Sequence, residues 1–177
     1  QDSHEQIIPP NNLSDVIAIA AGGYHSLALK SDGTVVGWGS NDNGEIDIPI
    51  GLSDVINIAG GHNHSFALKS DGTVLGWGGA GWFDNLAALS HVTAIASGSW
   101  HSLTLDSDGT VSAFGENGDG QTDVPGDLEN VVAIAGGGDH SLALKSDGTV
   151  TAWGDNTYGQ TNIPGGLENV VAISAGH

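Results

Sequence analysis

Short apolar runs, rich in β-branched residues and about five residues long, recur along the chain and are separated by Gly, Asp and Asn. Residues 16–20 read VIAIA, residues 26–30 SLALK and residues 35–38 VVGW. Runs this short, bounded by turn formers, predict strands and not helices. The first run does not alternate cleanly between apolar and polar. Large Val and Ile alternate imperfectly with small Ala, so both faces are apolar, as in a sheet covered on both sides. Asp32-Gly33 predicts a two-residue type I′ hairpin between the second and third strands, because both central residues of that turn need positive φ. Residues 39–44 read as a loop, and residues 45–48 as a short fourth strand ended by Pro49.

The unit repeats. HSLALKSDGTVVGWG starts at His25, HSFALKSDGTVLGWG at His64, HSLTLDSDGTVSAFG at His101 and HSLALKSDGTVTAWG at His140, at spacings of 39, 37 and 39 residues. An apolar segment precedes each: DVIAIAAGG, DVINIAGG, HVTAIASG, NVVAIAGGG and, last, NVVAISAG. Pro10, Pro49, Pro125 and Pro164 lie upstream in four of the five copies. The third copy lacks the Pro and is two residues shorter. Units therefore run over about 11–49, 50–86, 87–125 and 126–164, with a partial fifth at 165–177 and the end of a preceding unit at 1–10. Periods near 40 residues built of strands point to an all-β propeller of four-stranded antiparallel blades, here about four and a half repeats in one domain over 1–177. Small residues suit the inner strand. Trp38, Trp77, Phe114 and Trp153, at one equivalent position, suit the wider gap between blades further out.

The pattern GGxHSLALKSDGTVxxWG followed by NxxGQTxxP resembles the bacterial form of the regulator-of-chromosome-condensation repeat, of which β-lactamase inhibitor protein II is built. The likeness runs from about Glu5 to His177. It implies a propeller of four-stranded blades, usually seven, and a family habit of binding through loops at one end. Carried to matching positions, that implies Tyr24, Asn63, Trp100 and Asp139, the residue before each repeated His. A β-lactamase or another hydrolase is a target the resemblance suggests.

Four units fall short of seven. An open arc would leave sheet edges and faces unpaired. Three explanations stand: a fragment of a longer protein, an unusually small closed propeller, or copies that complete one another head to tail as a ring or filament. A fragment or an assembly is favoured.

Charge narrows the partners. Asp and Glu total 21 against three cations, Lys30, Lys69 and Lys145, with no Arg, for a net charge of −18. Nucleic acid and anionic membrane surfaces are therefore excluded as expected partners. No run approaches a membrane-spanning length. There is no Cys for disulfide or thiol chemistry and no initiator Met; a start at Gln1 suits a processed, extracellular or periplasmic protein.

Catalytic sets are missing from the sequence. There is no Gly-x-Ser-x-Gly elbow, no Arg for an anion clamp, and the GGAG of residues 78–81 lacks the Lys of a phosphate loop. His25, His64, His101 and His140 recur on successive blades, which spreads them around a ring, so a structural hydrogen bond between strands or blades is expected of them. His62 and His64 would share a strand face at i, i+2, but no third metal ligand is near in sequence, and a chance pair is the expected reading. The turns NDNG (41–44), ENGDG (116–120) and DNTYG (155–159) carry oxygen ligands for calcium, yet Asn, Asp and Gly are equally what turns require. No cofactor and no metal site is expected, with calcium as the minor reading.

Positions where the repeat varies are the better candidates. They are Tyr24, Asn63, Trp100 and Asp139, and, in the loop after the third strand, Trp82, Phe83 and Tyr158. Trp82 and Phe83 have two readings of equal standing: exposed anchors for a partner, or packing into the gap left by the shortened unit. The expectation is a non-enzymatic protein-binding module, inhibitor-like in its use of loops. The alternative is a self-assembling structural protein.

Overall fold

In the computed structural model, residues 5–79, 86 and 89–176 are described. The chain divides into two compact units, Gln1–His91 and Val92–His177. The first holds two antiparallel sheets, β1 (Val16–Ala21), β2 (His25–Lys30) and β3 (Val35–Gly39), then β4 (Val55–Gly60), β5 (His64–Lys69) and β6 (Val74–Gly78). The second holds β7 (Val92–Ser97), β8 (His101–Asp106) and β9 (Val111–Gly115), then β10 (Val131–Gly136), β11 (His140–Lys145) and β12 (Val150–Gly154). In each sheet the strands are neighbours in chain order.

The middle strand is covered on both faces, as the unbroken apolar pattern requires. Leu27, Ala28 and Leu29 are consecutive and fully buried, and so are Phe66, Ala67 and Leu68. Between the two sheets of the first unit, Leu27, Leu29 and Val35 meet Val55, Ile58, Ala67 and Trp77. The second unit repeats this with Leu103, Leu105 and Val111 against Val131, Ala143 and Trp153. Each such Leu contributes roughly 1.5–3 kcal/mol by leaving water.

Two turn details differ from the sequence expectation. The β2–β3 connection is not type I′. Gly33 N–H donates to Lys30 C=O at 3.0 Å and Lys30 N–H to Thr34 C=O at 2.9 Å. Gly33 has φ +78°, whereas Asp32 is not in the positive-φ region. This is a type I turn over Ser31-Asp32 followed by a left-handed Gly, the three-residue hairpin with a G1 bulge. Asp32 Oδ1 locks it by accepting from Thr34 N–H at 3.0 Å and from the Thr34 hydroxyl at 2.6 Å.

The predicted fourth strand at 45–48 is absent, and the sheets have three strands. Asp47 N–H donates to Gly44 C=O and Ile48 N–H to Ile46 C=O, so the segment is a pair of tight turns. The Asn41 side chain staples them, with Nδ2 donating to Asp47 Oδ1 at 2.8 Å and Oδ1 accepting from Ile46 N–H at 3.1 Å. A backbone so curled cannot run beside β3. Asn117 and Asn156 make the same pair of bonds. The segment serves the next sheet instead: Glu45 C=O accepts from the Ser65 hydroxyl and the Trp77 indole N–H, both at 2.8 Å.

The chain ends follow the repeat. Gln6 C=O accepts from Ser26 and Trp38 as Glu45 C=O does from Ser65 and Trp77, which makes residues 5–8 the close of a unit. Val170 N–H donates to Gly148 C=O and Gly138 N–H to Gly176 C=O, the same bonds that β4 makes to the first sheet through Val55 and Gly61. Residues 170–176 thus dock where the first strand of a fifth blade sits, although they form no strand ladder. Among the described residues no helix is long and apolar enough to cross a membrane.

Candidate functional site

Strand direction divides each sheet into two ends. The turn between the first and second strands and the loop after the third lie at one end; the Ser-Asp-Gly hairpin lies at the other. The three lysines close the second strand at the hairpin end. Lys30 and Lys69 pair there with Asp32 and Asp71 at 3.3 and 3.6 Å. Hydrogen bonds from the hydroxyl and amide of Thr34, Thr73 and Thr149 hold Asp32, Asp71 and Asp147 below the usual carboxylate range. The loop end carries no lysine. Its exposed charges are acidic: Asp42 and Asp47 in the first unit, Glu116, Asp119 and Asp123 in the second.

Five of the predicted residues sit at the loop ends of their blades. Tyr24 is 43% exposed, and its ring stands edge-on to His62 with centroids 5.2 Å apart. Its carbonyl accepts from Ser40 N–H, which ties the turn to the loop after β3. Asn63 is half-buried, with Oδ1 out of solvent and no partner among the described residues. Gly23 N–H donates to Gly61 C=O, so the Tyr24 and Asn63 turns are neighbours. In the second unit Ser99 N–H donates to Gly137 C=O and brings the Trp100 and Asp139 turns together in the same way. Trp100 and Asp139 are both half-buried, and their carbonyls accept from Glu116 and Asp155 N–H. Tyr158 stands 92% exposed at the tip of the last loop, its N–H donating to Gln160 Oε1. Trp82 and Phe83 lie outside the described residues, as does His177.

Two of the repeated histidines join blades within a unit. His25 Nε2 lies 2.9 Å from Ser65 Oγ in the next sheet, and His101 Nε2 the same distance from Ser141 Oγ. Burial pushes both imidazoles down, His101 to about 4; around His25, Glu45 partly opposes this and His62 adds to it. His140 is also lowered by burial, against the pull of Asp155 and Asp139. Burial opposes ionisation of Glu45, yet hydrogen bonds from the side chain and amide of Asn43 keep its carboxyl below the ordinary range. His62 and His64 do not share a strand face: His62 lies in the turn before β5, and only His64 is in the strand. Among the described residues no group of three or more His, Asp or Glu side chains is placed to hold a metal ion.

The hairpin end carries apolar side chains that the sequence pattern barely signals. A one-residue bulge in each first strand, between Val16 and Ala18 and its equivalents, turns Ile17, Ile56 and Val132 outward. Ile17 and Ile56 line a shallow cleft with Lys30 and Asp54. The only sequence signal was the imperfect alternation in VIAIA.

The blade geometry has close counterparts. The regulator of chromosome condensation (RCC1) repeat matches residues 16–45, 55–81, 92–121 and 131–160. The chain belongs to that family. Its four sheets are the blades of a partial β-propeller. Similar solved structures include the ectodomain of the Physcomitrella patens receptor kinase CR4 (TM-score 0.82, 25% identity, 99% of this chain and 50% of that one). Yeast RCC1 (Prp20) bound to Kap60 gives 0.72 at 25% identity, covering 94% of this chain and 53% of that one. Prp20p of Saccharomyces cerevisiae gives 0.73 at 21% identity, covering 90% and 51%. The chain thus spans about half the length of these structures.

Proposed function

We propose that this chain is a non-enzymatic protein-binding module of the RCC1-repeat type, inhibitor-like in presenting variable loops on a rigid repeat scaffold. The observation that carries the reading is the loop end of the blades. There the varying residues occupy one repeated position, Tyr24 and Asn63 in the first unit and Trp100 and Asp139 in the second, and Tyr158 is exposed at the loop end of the last blade. Exposed aromatics are the usual anchors of protein interfaces. The exposed acids of the same end, with every lysine at the other, fit a partner surface bearing Lys or Arg. Related propellers support the class of partner: Prp20p is described with binding to Gsp1p and histones, and yeast RCC1 with Kap60. The test is affinity capture with the intact chain from both culture medium and lysate, repeated with Tyr24→Ala and Tyr158→Ala. A partner held by the parent chain and lost by the variants is expected. Capture unaffected by either variant counts against the loop end.

A second reading, assembly of copies, is supported by the uncovered face of the first sheet. Ile19 is 78% exposed, while Ile58, its counterpart one repeat on, is 7% exposed beneath Leu27 and Leu29. Light scattering over a range of concentrations tests it. A mass that stays at one chain would remove it, whereas growth abolished by Ile19→Asp would establish it.

A further inference from the structure

We propose that, within each unit, the junction between its two blades is an acid-released latch, held by a buried histidine whose second ring nitrogen has no place to put a proton. In the first unit the Ser65 hydroxyl donates its single proton to Glu45 C=O at 2.8 Å. The 2.9 Å contact between Ser65 Oγ and His25 Nε2 then needs its proton from the imidazole, which fixes His25 as the Nε2–H tautomer. Nδ1 is left as a bare acceptor, buried and without a partner among the described residues. It is pressed against Gly22, where a Cβ would lie 2.5 Å from it. The second unit repeats every element: His101 Nε2 at 2.9 Å from Ser141 Oγ, Ser141 donating to Gln121 C=O at 2.9 Å, and His101 Nδ1 buried without a partner among the described residues. Two separately packed junctions with one geometry make this a property of the repeat.

A second proton on either ring must go to Nδ1, which is out of solvent and has no acceptor among the described residues. The charged groups that face these rings do not rescue the cation. Around His25 they are the Glu45 carboxylate, engaged by Asn43, and His62, which repels when charged. Around His101 the neighbour is His140, also repelling. Burial dominates in both cases and lowers both rings. An unfolded histidine takes its proton near pH 6.5. Below that and above the folded value, about 4 for His101, the unfolded chain binds more protons than the folded one. Stability is therefore complete above about pH 6.5 and falls as pH drops through this window. Tyr24 and Trp100 directly precede the latched rings, so release reaches the loop end of the blades.

The test is ring titration by NMR on the full chain, together with urea unfolding between about pH 7.5 and 4.5, for the parent and for a His25→Gln/His101→Gln double variant. The Gln amide N–H can reach the serine as Nε2–H does, but it does not titrate. The expected result is Nε2–H tautomers at neutral pH and both midpoints below that of a free imidazole, His101 near 4. The parent's folding constant should drop across the window, about tenfold or more from His101 alone, and the double variant should lose most of that dependence. A midpoint at or above the ordinary value, an Nδ1–H tautomer, or an unchanged pH dependence in the double variant would overturn the proposal. If the double variant does not fold, the ring titration of the parent decides alone.

Discussion

The indole N–H of Trp153 donates to the carbonyl of Gln121, 32 residues earlier, at 2.9 Å. The same carbonyl accepts from the Ser141 hydroxyl. One backbone oxygen thus clasps the middle and last strands of a blade to the segment that precedes it. Trp153→Phe should cost about 1 kcal/mol, because Ser141 still satisfies the carbonyl and Phe114 shows that the position accepts a phenyl ring. Trp153→Ala opens the core between two sheets and should cost about 3–5 kcal/mol. Urea unfolding followed by circular dichroism checks both, and equal losses would mean that the hydrogen bond, not the ring volume, dominates.

The Asn of each NxxG turn is a structural staple. Asn117 Nδ2 donates to Asp123 Oδ1 at 2.7 Å, and its Oδ1 accepts from Thr122 N–H at 3.0 Å. Asn117→Ala should destabilise by about 1–2 kcal/mol through the loss of both bonds. Asn117→Asp keeps the acceptor but sets one carboxylate against another. Its deficit should therefore shrink as the pH is lowered toward the carboxylate range, which a series of unfolding curves would reveal. A deficit that grows on acidification would contradict the staple.

The blade pattern was legible because the residues that build it are chemically loud. A run such as Leu27, Ala28, Leu29 can only sit in a strand covered on both faces, and the 39-residue period repeats it. What escaped the reading depends on backbone curvature. Residues 45–48 alternate well enough to suggest a strand, but Asn41 curls them, and that bond joins residues six apart. Asp-Gly suggested a type I′ turn, whereas the left-handed demand falls on Gly33 alone and Asp32 is held by Thr34. The candidate residues were found through their variation between copies. The contact of Tyr24 with His62 was not, because it crosses from one sheet to the next.

Left-handed residues open the first strands. Asp15, Asp54, His91 and Asn130 all have φ between 58° and 64°, a region that costs an ordinary L residue about 1–2 kcal/mol. Asn and Asp tolerate it through their short polar side chains. Asn130→Ala should lose about 1 kcal/mol, whereas Asn130→Gly should unfold at nearly the parent's urea concentration, the relief of strain offsetting the greater freedom of the unfolded chain. Equal destabilisation by Ala and Gly would show that the side chain and not the backbone sets the preference.

Tyr158 and Tyr24 separate stability from recognition. Tyr158 is 92% exposed, and the described bond of its turn is made by its backbone. Tyr158→Ser should therefore change unfolding free energy by less than about 0.5 kcal/mol, as surface substitutions usually do. Tyr24 is 43% exposed and packs on His62, so Tyr24→Ala should cost about 0.5–1.5 kcal/mol through the lost ring pair. If both rings anchor a partner, each variant should weaken binding by more than about 1 kcal/mol, and that loss should bear no relation to the loss in stability. Isothermal calorimetry with the captured partner, set beside urea unfolding of the same variants, makes the comparison. Binding losses that track stability losses would assign the aromatic residues to the scaffold and not to the interface.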